Sequence, residues 1–338
     1  MIKLGVIYGG ISTEHDVSIM SAKSIVDNLD KEKYDINEIY INEYGKWFRN
    51  NNNEKEEIEN LVWTLKDLDV VFPVLHGLGG EDGTIQGMFE MLKIPYVGCG
   101  VLASSIGMNK VYAKTIFGKA GMEQAPYMYI KKNEKGYVII NEKFEEEEFK
   151  IEKITNKLKF PMFVKPSNSG SSVGVKKATN NSELKMAIEN AGKYDNKILV
   201  EQGINAKEVE CAILEDKNVI ASTVGEIISA EEFYSFDAKY NIPESKTIIP
   251  AKIEENQIEE IKKLAIKAFK VIDGRGLARL DFFIEKVTNK IYINEINTMP
   301  GFTQISMYPK LFEAVGVTYS KLLDKLIKNA LHEDINNL

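Results

Sequence analysis

The sequence predicts the α/β fold class, and two patterns support this prediction. From the first residue, short apolar segments alternate with helical ones, and this alternation is typical of a parallel sheet covered by helices. Much later, the apolar segments Leu280–Ile284 and Ile291–Ile296 flank the turn-like K-V-T-N-K and predict a β-hairpin. The chain of 338 residues, 44% of them hydrophobic, is long enough for two or three substructures with cores of their own.

Composition excludes several classes of function. The chain carries 43 basic and 50 acidic side chains, a net charge of −7, so we expect no nucleic-acid partner. Its two cysteines, Cys99 and Cys211, lie far apart and predict neither a disulfide framework nor a zinc site. The N-terminus resembles a strand and a turn, not a signal peptide, and no apolar run approaches the ~18 residues of a membrane helix. We therefore expect a cytoplasmic protein with no membrane partner.

The N-terminal segment predicts three strands of a parallel sheet. The strands are Ile2–Tyr8, Tyr34–Ile41 and Val70–Leu75, with helices at Val17–Leu29 and Gln86–Leu92 and a further short strand at Pro95–Gly98. Turns follow the first and third of these strands, and ligands of such sheets bind beyond the carboxyl ends of the strands. We therefore expect Glu14, Ser18 and His76 to face one crevice.

The rest of the chain divides into two further regions. We place a first boundary near Ser104–Ser105, ahead of a helix at Lys110–Ala120, so the predicted domains are 1–105, 106–200 and 201–338. The middle region contains strands around Phe163–Lys165 and Ile198–Glu201. Its very acidic segment, Glu142–Glu152, predicts a solvated face or a hairpin and not a site.

The late hairpin places oxygen ligands together. Pairing about its turn puts Asp281 opposite Ile296–Asn297, and Glu295 and Asn297 share a face because they are two residues apart. Two carboxylates and an amide oxygen, with no nearby thiol or imidazole, suit Mg²⁺ with nucleotide phosphates in its remaining positions. Arg279 lies on the same face as Asp281 and could stabilise developing negative charge. The sequence therefore predicts a magnesium–nucleotide site.

Three other segments are candidates for ligand contacts. A Ser/Gly loop, Ser167–Gly174, follows the strand that ends at Lys165 and could close over phosphates, although such loops are often plain turns and this one lacks Walker A spacing. The segment Glu201–Glu208 could offer groups to adenine and ribose, or be an ordinary loop. The aromatic and charged segment Ile227–Lys246 predicts a lid over the site.

Motifs along nearly the whole chain resemble those of the D-alanine–D-alanine ligases of the ATP-grasp superfamily. In order they are G-G-I-S-T-E-H-D-V-S, H-G-L-G-G-E-D-G-T-I-Q-G, M-N-K, V-K-P-S-N-S-G-S-S-V-G, F-Y-S-F-D-A-K-Y, R-L-D-F and N-E-I-N-T-M-P-G-F-T. The resemblance implies an ATP-grasp fold, in which a Rossmann-like N-terminal domain is followed by a two-part region that holds ATP between two antiparallel sheets. It also implies a homodimer.

The resemblance further implies roles for individual residues. The implied ATP-binding residues are Lys110, Lys165, Ser171, Glu201 at the adenine, Glu208 at the ribose, Lys239 and Asn294. The implied ligands of two Mg²⁺ ions, for which Mn²⁺ can substitute, are Asp281, Glu295 and Asn297. The implied substrate-binding residues are Glu14, His76, Lys239, Tyr240, Arg279, Gly301 and Ser306. The implied catalytic residues are the hydrogen-bonded set Glu14, Ser171 and Tyr240, together with Arg279 and the Gly301 N–H as the oxyanion site.

The implied activity is the ATP-dependent joining of two D-alanines through a D-alanyl phosphate, a step in the synthesis of peptidoglycan precursors. Two alternatives stay open. A relative that accepts D-serine or D-lactate as second substrate shares these motifs, although Tyr240 within A-K-Y resembles the D-alanine users. The second alternative is an ATP-binding protein that has lost catalysis. This alternative is disfavoured because the chain keeps all five residues that catalysis would need, Lys165, Arg279, Asp281, Glu295 and Asn297.

Overall fold

The computed structural model describes residues 1–51, 54–228 and 246–336. Most of the segment expected to form a lid, including Lys239 and Tyr240, lies outside these residues. Three sheets and the helices around them make up the described part of the chain, and none of its helices is long and apolar enough to cross a membrane.

The first sheet contains five strands in the order β4-β3-β2-β1-β5. Its strands are β1 Ile2–Gly9, β2 Tyr34–Ile41, β3 Trp47–Asn51, β4 Glu54–Glu57 and β5 Val70–Val74, with helices α1 His15–Asn28, α2 Leu61–Lys66, α3 Thr84–Leu92 and α4 Val101–Met108. Strand β1 runs parallel to both β2 and β5, and this confirms the predicted parallel core. The antiparallel β3–β4 hairpin at one edge was not predicted.

One predicted strand of this region is wrong. Only Tyr96 of Pro95–Gly98 pairs with the sheet, through a single parallel bridge to Val71. The chain cannot continue along β5 because Gly98 takes a left-handed conformation (φ 112°) and turns toward α4. The boundary placed at Ser104–Ser105 falls within that helix.

The second sheet is antiparallel, with the order β10-β9-β11-β6-β7-β8. Its elements are α5 Lys110–Lys119, β6 Tyr127–Asn133, β7 Gly136–Ile140, β8 Glu146–Glu148, α6 Ile151–Lys157, β9 Met162–Pro166, β10 Lys176–Ala178, α7 Asn181–Ala191 and β11 Lys197–Gln202. The acidic segment supplies β8, and its three glutamates are exposed. This agrees with the prediction of a solvated hairpin.

The third sheet is also antiparallel, with the order β14-β13-β12-β15-β16. Its elements are β12 Ala206–Glu215, β13 Val219–Ile228, β14 Lys246–Ile248, α8 Glu255–Val271, β15 Leu277–Glu285, β16 Ile291–Asn297, α9 Met307–Glu313 and α10 Tyr319–Asn336. Helix α8 packs its apolar stripe on this sheet, and α10 returns to the first sheet, where Leu322 joins the core around Leu4 and Phe72. The first and third sheets therefore share one hydrophobic core.

Candidate active site

One cleft collects almost all of the predicted site residues that the structure describes. It is lined from the second sheet and its loop, from the third sheet, and from the turns at the carboxyl ends of β1 and β5. Among its lining residues are Glu14, His76, Lys110, Lys165, Ser171, Glu201, Glu208, Arg279, Asp281, Asn294, Glu295, Asn297 and Gly301. Residues predicted from motifs that are far apart in the sequence therefore lie in one cleft.

The turn after β1 places Glu14 at one end of the cleft. Glu14 precedes α1 without capping it, its backbone N–H donates to the Ser12 hydroxyl (3.1 Å), and Ser12 in turn donates to the His76 carbonyl (2.6 Å). Ser18 ties the same turn to the sheet by accepting from the Gly9 N–H (2.8 Å). It is fully buried and does not line the cleft, so the expectation that it faces the crevice is wrong. The two turns that sequence analysis placed at one crevice are therefore hydrogen-bonded to each other.

The Ser171 hydroxyl donates a hydrogen bond to the Glu14 carboxylate across the cleft. Ser171 and Ser172 both take left-handed conformations, with φ of 45° and 60°, which turn the Ser/Gly loop toward the first sheet. A Cβ added at Gly170 would lie 2.2 Å from Glu14 Oε2, so any larger residue would displace the Glu14 carboxylate from this position. The loop that follows Lys165 therefore reaches the turn that follows β1.

His76 is buried and its ring is held within the protein. Its Nδ1 lies 3.0 Å from the Met299 carbonyl and its Nε2 lies 3.2 Å from the Ser21 hydroxyl. Burial lowers the pKa of His76, which favours the neutral imidazole. Both ring nitrogens are engaged, so His76 supports the wall of the cleft in the described structure.

Glu81 is a carboxylate that sequence analysis did not single out, although it lies within the H-G-L-G-G-E-D-G motif. It accepts from the Gly77 N–H (2.9 Å) and lines the cleft beside His76. Burial, reinforced by the nearby charge of Glu14, raises the pKa of Glu81 to about 8. A protonated carboxyl group is therefore expected at this position near neutral pH.

The start of α5 anchors the Ser/Gly loop. Asn109 caps the helix through a bond from the Tyr112 N–H (3.3 Å), and its Oδ1 also accepts from the Ser167 hydroxyl (2.7 Å). Lys110 donates through Nζ to the Ser169 carbonyl (2.7 Å) and lies 3.7 Å from Glu295 Oε2. Lys110 thus bridges the loop and the third sheet.

A buried charge cluster lies behind the loop. Glu201, on β11, contacts Lys165 Nζ through Oε2 (2.7 Å) and Lys114 Nζ through Oε1 (2.6 Å). Burial would raise the pKa of Glu201, but the two lysines outweigh it and lower the pKa to about 2. Burial would also lower the pKa of Lys165, but Glu201 outweighs it and raises the pKa. The Glu201 side chain is engaged by lysines, so an adenine contact at this residue would involve its backbone.

Arg279 lies between two carboxylates. It donates to both oxygens of Asp281, each at 2.7 Å, and its Nε lies 3.1 Å from Glu210 Oε2. Burial opposes its charge, but Asp281 and Glu210 hold the pKa of Arg279 well above its ordinary value. Glu210, on the neighbouring strand β12, was not foreseen because its proximity depends on strand pairing across 69 residues of sequence.

The predicted register of the late hairpin is wrong by one to two residues. Asp281 pairs with Glu295, not with Ile296–Asn297, because the strands close tightly at the turn, where Ile284 pairs with Ile291. A bulge between Asp281 and Phe282 then shifts the pairing by one residue. The three proposed metal ligands nevertheless face the cleft together, and Asn297 Nδ2 donates to Asp281 Oδ2 (3.1 Å). The described residues contain no group of three His, Cys, Asp or Glu side chains that could hold a metal ion.

Ser306 differs from the other predicted residues in position. It precedes α9 and does not line the cleft, and its hydroxyl lies 3.0 Å from the Thr303 N–H and 2.8 Å from the Thr303 hydroxyl. Gly301, five residues earlier, does line the cleft. The structure therefore brings Gly301, but not Ser306, to the wall of the cleft.

This fold and this cleft define the class of protein. Two antiparallel sheets face each other across lysines, an arginine and carboxylates, with a Ser/Gly loop at the opening and a parallel sheet at the far end. This architecture agrees with the class that the motifs resemble, the ATP-dependent ligases of the ATP-grasp superfamily.

Comparisons with known proteins identify the family. The family model described as D-ala D-ala ligase C-terminus matches residues 116–328, and that described as D-ala D-ala ligase N-terminus matches residues 3–65 and 49–99. The D-alanine–D-alanine ligase of Acetivibrio thermocellus is 47% identical over 98% of this chain and 96% of its own. That of Caldicellulosiruptor bescii is 46% identical with the same coverage of each chain. The chain belongs to the D-alanine–D-alanine ligase family.

Solved structures agree with the fold. The D-alanine–D-alanine ligase from Coxiella burnetii has a TM-score of 0.85 and 32% identity, over 99% of this chain and 95% of its own. The D-Ala:D-Ser ligase VanG from Enterococcus faecalis has a TM-score of 0.84 and 33% identity, over 97% and 99%. The Bacillus anthracis D-alanine–D-alanine ligase complexed with ATP has a TM-score of 0.80 and 31% identity, covering 100% of each chain.

Proposed function

We propose that this chain joins two molecules of D-alanine into D-alanyl-D-alanine through a D-alanyl phosphate, releasing ADP and phosphate, for peptidoglycan precursors in the cytoplasm. The observation that carries the proposal is the hydrogen bond from Ser171 to Glu14. It joins an acid at the end of the parallel sheet to the loop that follows Lys165. An amino acid bound at Glu14 and a nucleotide bound under the loop would therefore share one cleft.

The first step forms the acyl phosphate. Glu14 would bind the ammonium of the first D-alanine and orient its carboxylate, one oxygen of which attacks the γ-phosphorus while the bond to ADP breaks. Two anions must meet in this step, so fixed positive charge lowers the barrier. Lys110 and Lys165 line the cleft and are the cations that would contact the phosphates.

The second step forms the peptide bond. The free amine of the second D-alanine attacks the acyl carbon, the negative charge of the tetrahedral intermediate develops on oxygen, and phosphate leaves. Arg279 and the Gly301 N–H would stabilise that oxyanion. Between Asp281 and Glu210, the Arg279 guanidinium is fixed before substrate binds. This preorganisation avoids a reorganisation cost at the moment of reaction.

Asp281, Glu295 and Asn297 are the residues that would hold Mg²⁺, or Mn²⁺ in its place. The donor set fits, because two carboxylates lie opposite each other in the strand register and the amide hydrogen-bonds to one of them. Metal bound here would neutralise phosphate charge. Asp281 now gives both its oxygens to Arg279, so metal binding would compete for that carboxylate, and Glu210 remains as a partner for the guanidinium.

Several finer assignments are also proposals. Glu208 and Asn294 would contact the nucleotide, and Ser306 would receive the carboxylate of the second D-alanine together with Arg279. We propose that residues 1–105, 106–200 and 201–338 act as three units, that a lid carrying Lys239 and Tyr240 closes over the cleft, and that the protein is a homodimer.

Selectivity for the second substrate has one competing candidate. The structural similarity to a D-Ala:D-Ser ligase, at a TM-score of 0.84, makes D-serine a possible second amino acid. Phosphate release from Mg·ATP should be measured with D-alanine, D-serine and D-lactate, alone and in pairs, with the products identified by mass. Release with D-alanine alone supports our proposal, release only in a mixed pair supports the alternative, and ATP binding without release indicates a protein that has lost catalysis.

A further inference from the structure

Lys114 is a buried lysine that the mechanism above does not use. It lies on α5 one helical turn after Lys110, its side chain is 3% exposed, and it does not line the cleft. A lysine is rarely so buried without a partner of opposite charge. Its Nζ lies 2.6 Å from Glu201 Oε1 and 5.5 Å from the centre of the Tyr127 ring.

The backbone around Lys114 is fixed on both sides. Its helix begins at the Asn109 cap, which also accepts from Ser167 of the Ser/Gly loop (2.7 Å), and the Lys114 carbonyl accepts from Gln124 Nε2 (2.9 Å). The side chain is therefore directed at Glu201 by a helix that is itself tied to the loop. Any movement of the Lys114 ammonium group would therefore change its contact with the Glu201 carboxylate.

Glu201 is shared by two lysines that differ in access to the cleft. One carboxylate oxygen contacts Lys114, which is buried behind the sheet, and the other contacts Lys165, which lines the cleft. Burial lowers the pKa of Lys114, although its contact with Glu201 opposes that shift. With both lysines protonated, the cluster of Lys114, Lys165 and Glu201 carries two positive charges and one negative charge. Lys165 has three ammonium protons, so it can donate to Glu201 and still offer protons to another anion.

We propose that Lys114 is a positioning residue of the nucleotide site, whose charge compensates Glu201 so that the charge of Lys165 remains available to the phosphates of the nucleotide. This inference rests on the proposed function, because it takes Lys165 as a phosphate contact. Without Lys114, Glu201 would have Lys165 as the one cation of the cluster, and the net charge of the cluster would fall from one to zero.

The test is direct binding of Mg·ATP, measured by calorimetry in the absence of amino acid. Lys114→Met should weaken ATP binding by about tenfold or more, because one charge is lost a short distance behind Lys165 in a poorly solvated site. Lys114→Gln should weaken it similarly, since glutamine keeps hydrogen bonding but not charge. Lys119→Met is the matched control, because Lys119 is exposed on the same helix, and it should bind ATP as the wild type does.

A double variant separates charge compensation from packing. Lys114→Met combined with Glu201→Gln removes one positive and one negative charge, so its ATP affinity should be higher than that of Lys114→Met alone. If Lys114→Met alone fails to fold, the comparison is made with Lys114→Gln instead. The KM for D-alanine should change by less than about threefold in each folded variant.

Three results would overturn the inference. They are unchanged ATP affinity in a folded Lys114→Met protein, wild-type affinity in Lys114→Gln, and a double variant that binds ATP as weakly as Lys114→Met or more weakly. Failure of the wild-type protein to bind Mg·ATP would instead refute the proposed function, so the two failures are distinguishable.

Discussion

Substitution of Gly170 by alanine tests the contact between the Ser/Gly loop and the first sheet. An added Cβ would lie 2.2 Å from Glu14 Oε2 and 3.1 Å from Glu14 Cδ. Real Cβ atoms essentially never approach closer than 3.0 Å, so Oε2 must withdraw by at least the difference, 3.0 − 2.2 = 0.8 Å. The displaced atom is the end of a flexible side chain, so Glu14 can yield by rotation without unfolding the turn.

The substitution should affect the stability of the protein much less than the rate of the reaction. Rotation of Glu14 away from its rotamer costs about 0.5–1.5 kcal/mol, a small loss of stability. A displacement of about 1 Å in a group that orients substrate can cost on the order of 10²-fold in rate. We therefore expect Gly170→Ala to lower kcat/KM for D-alanine by roughly 10- to 100-fold, with the melting temperature within a few degrees of the wild type.

The assay is steady-state phosphate release as D-alanine is varied, together with calorimetric ATP binding. Gly87→Ala is the matched control, because Gly87 lies within α3 with open space at its Cβ position, and it should leave kcat/KM unchanged. A folded Gly170→Ala enzyme with kcat/KM within twofold of the wild type would refute the role of Glu14. Loss of ATP affinity with normal D-alanine kinetics would show that the loop moves instead of Glu14.

Three further predictions concern the arginine, a buried acid and a core hydrogen bond. Arg279→Lys keeps the positive charge but loses the planar guanidinium that Asp281 holds by two hydrogen bonds. We expect kcat to fall by about 10²-fold while ATP still binds. A kcat near that of the wild type would contradict the oxyanion role of Arg279. Burial raises the pKa of Glu81 from 4.5 to about 8, so the stability linked to its proton is present below about pH 4.5 and lost as the pH rises through about 8. Urea unfolding of Glu81→Gln should therefore show a smaller loss of stability between about pH 5 and pH 9 than the wild type, and an equal loss would contradict this. Tyr308 is fully buried and donates to the Ile213 carbonyl (3.0 Å), so Tyr308→Phe should cost about 1–2 kcal/mol in the free energy of unfolding with kcat unchanged; no loss of stability would show that the bond contributes nothing.

Apolar pattern was sufficient to predict the buried strands but not the exposed ones. Strand β5 is buried at all five positions and forms a continuous apolar run, and the end of β2 alternates, with Ile39 and Ile41 buried. Both patterns are typical of strands. Strand β4 is E-K-E-E and exposed at every position, so it carries no such signal and its pairing with β3 was missed. The Pro95–Gly98 error has the opposite cause, because an apolar segment packs beside the sheet while making a single bridge to it.

Motif spacing placed the residues of one hairpin together but could not find their distant partners. Arg279 and Asp281 alternate toward the cleft on β15, as the period of a strand requires. The bulge after Asp281 shifts the cross-strand pairing, and nothing in the apolar pattern indicates it. Lys114 and Glu210 are buried and contact charged residues on other strands, Glu201 and Arg279 respectively. Sequence spacing does not indicate such contacts.

The most direct test of the central claim follows oxygen from substrate to product. D-alanine labelled with oxygen-18 in its carboxylate is given to the purified protein with Mg·ATP, and the dipeptide and the phosphate are analysed by mass. Transfer through D-alanyl phosphate predicts D-alanyl-D-alanine and one labelled oxygen in each phosphate released. Dipeptide accompanied by unlabelled phosphate would contradict the acyl phosphate, and release of phosphate without dipeptide would contradict the ligation itself.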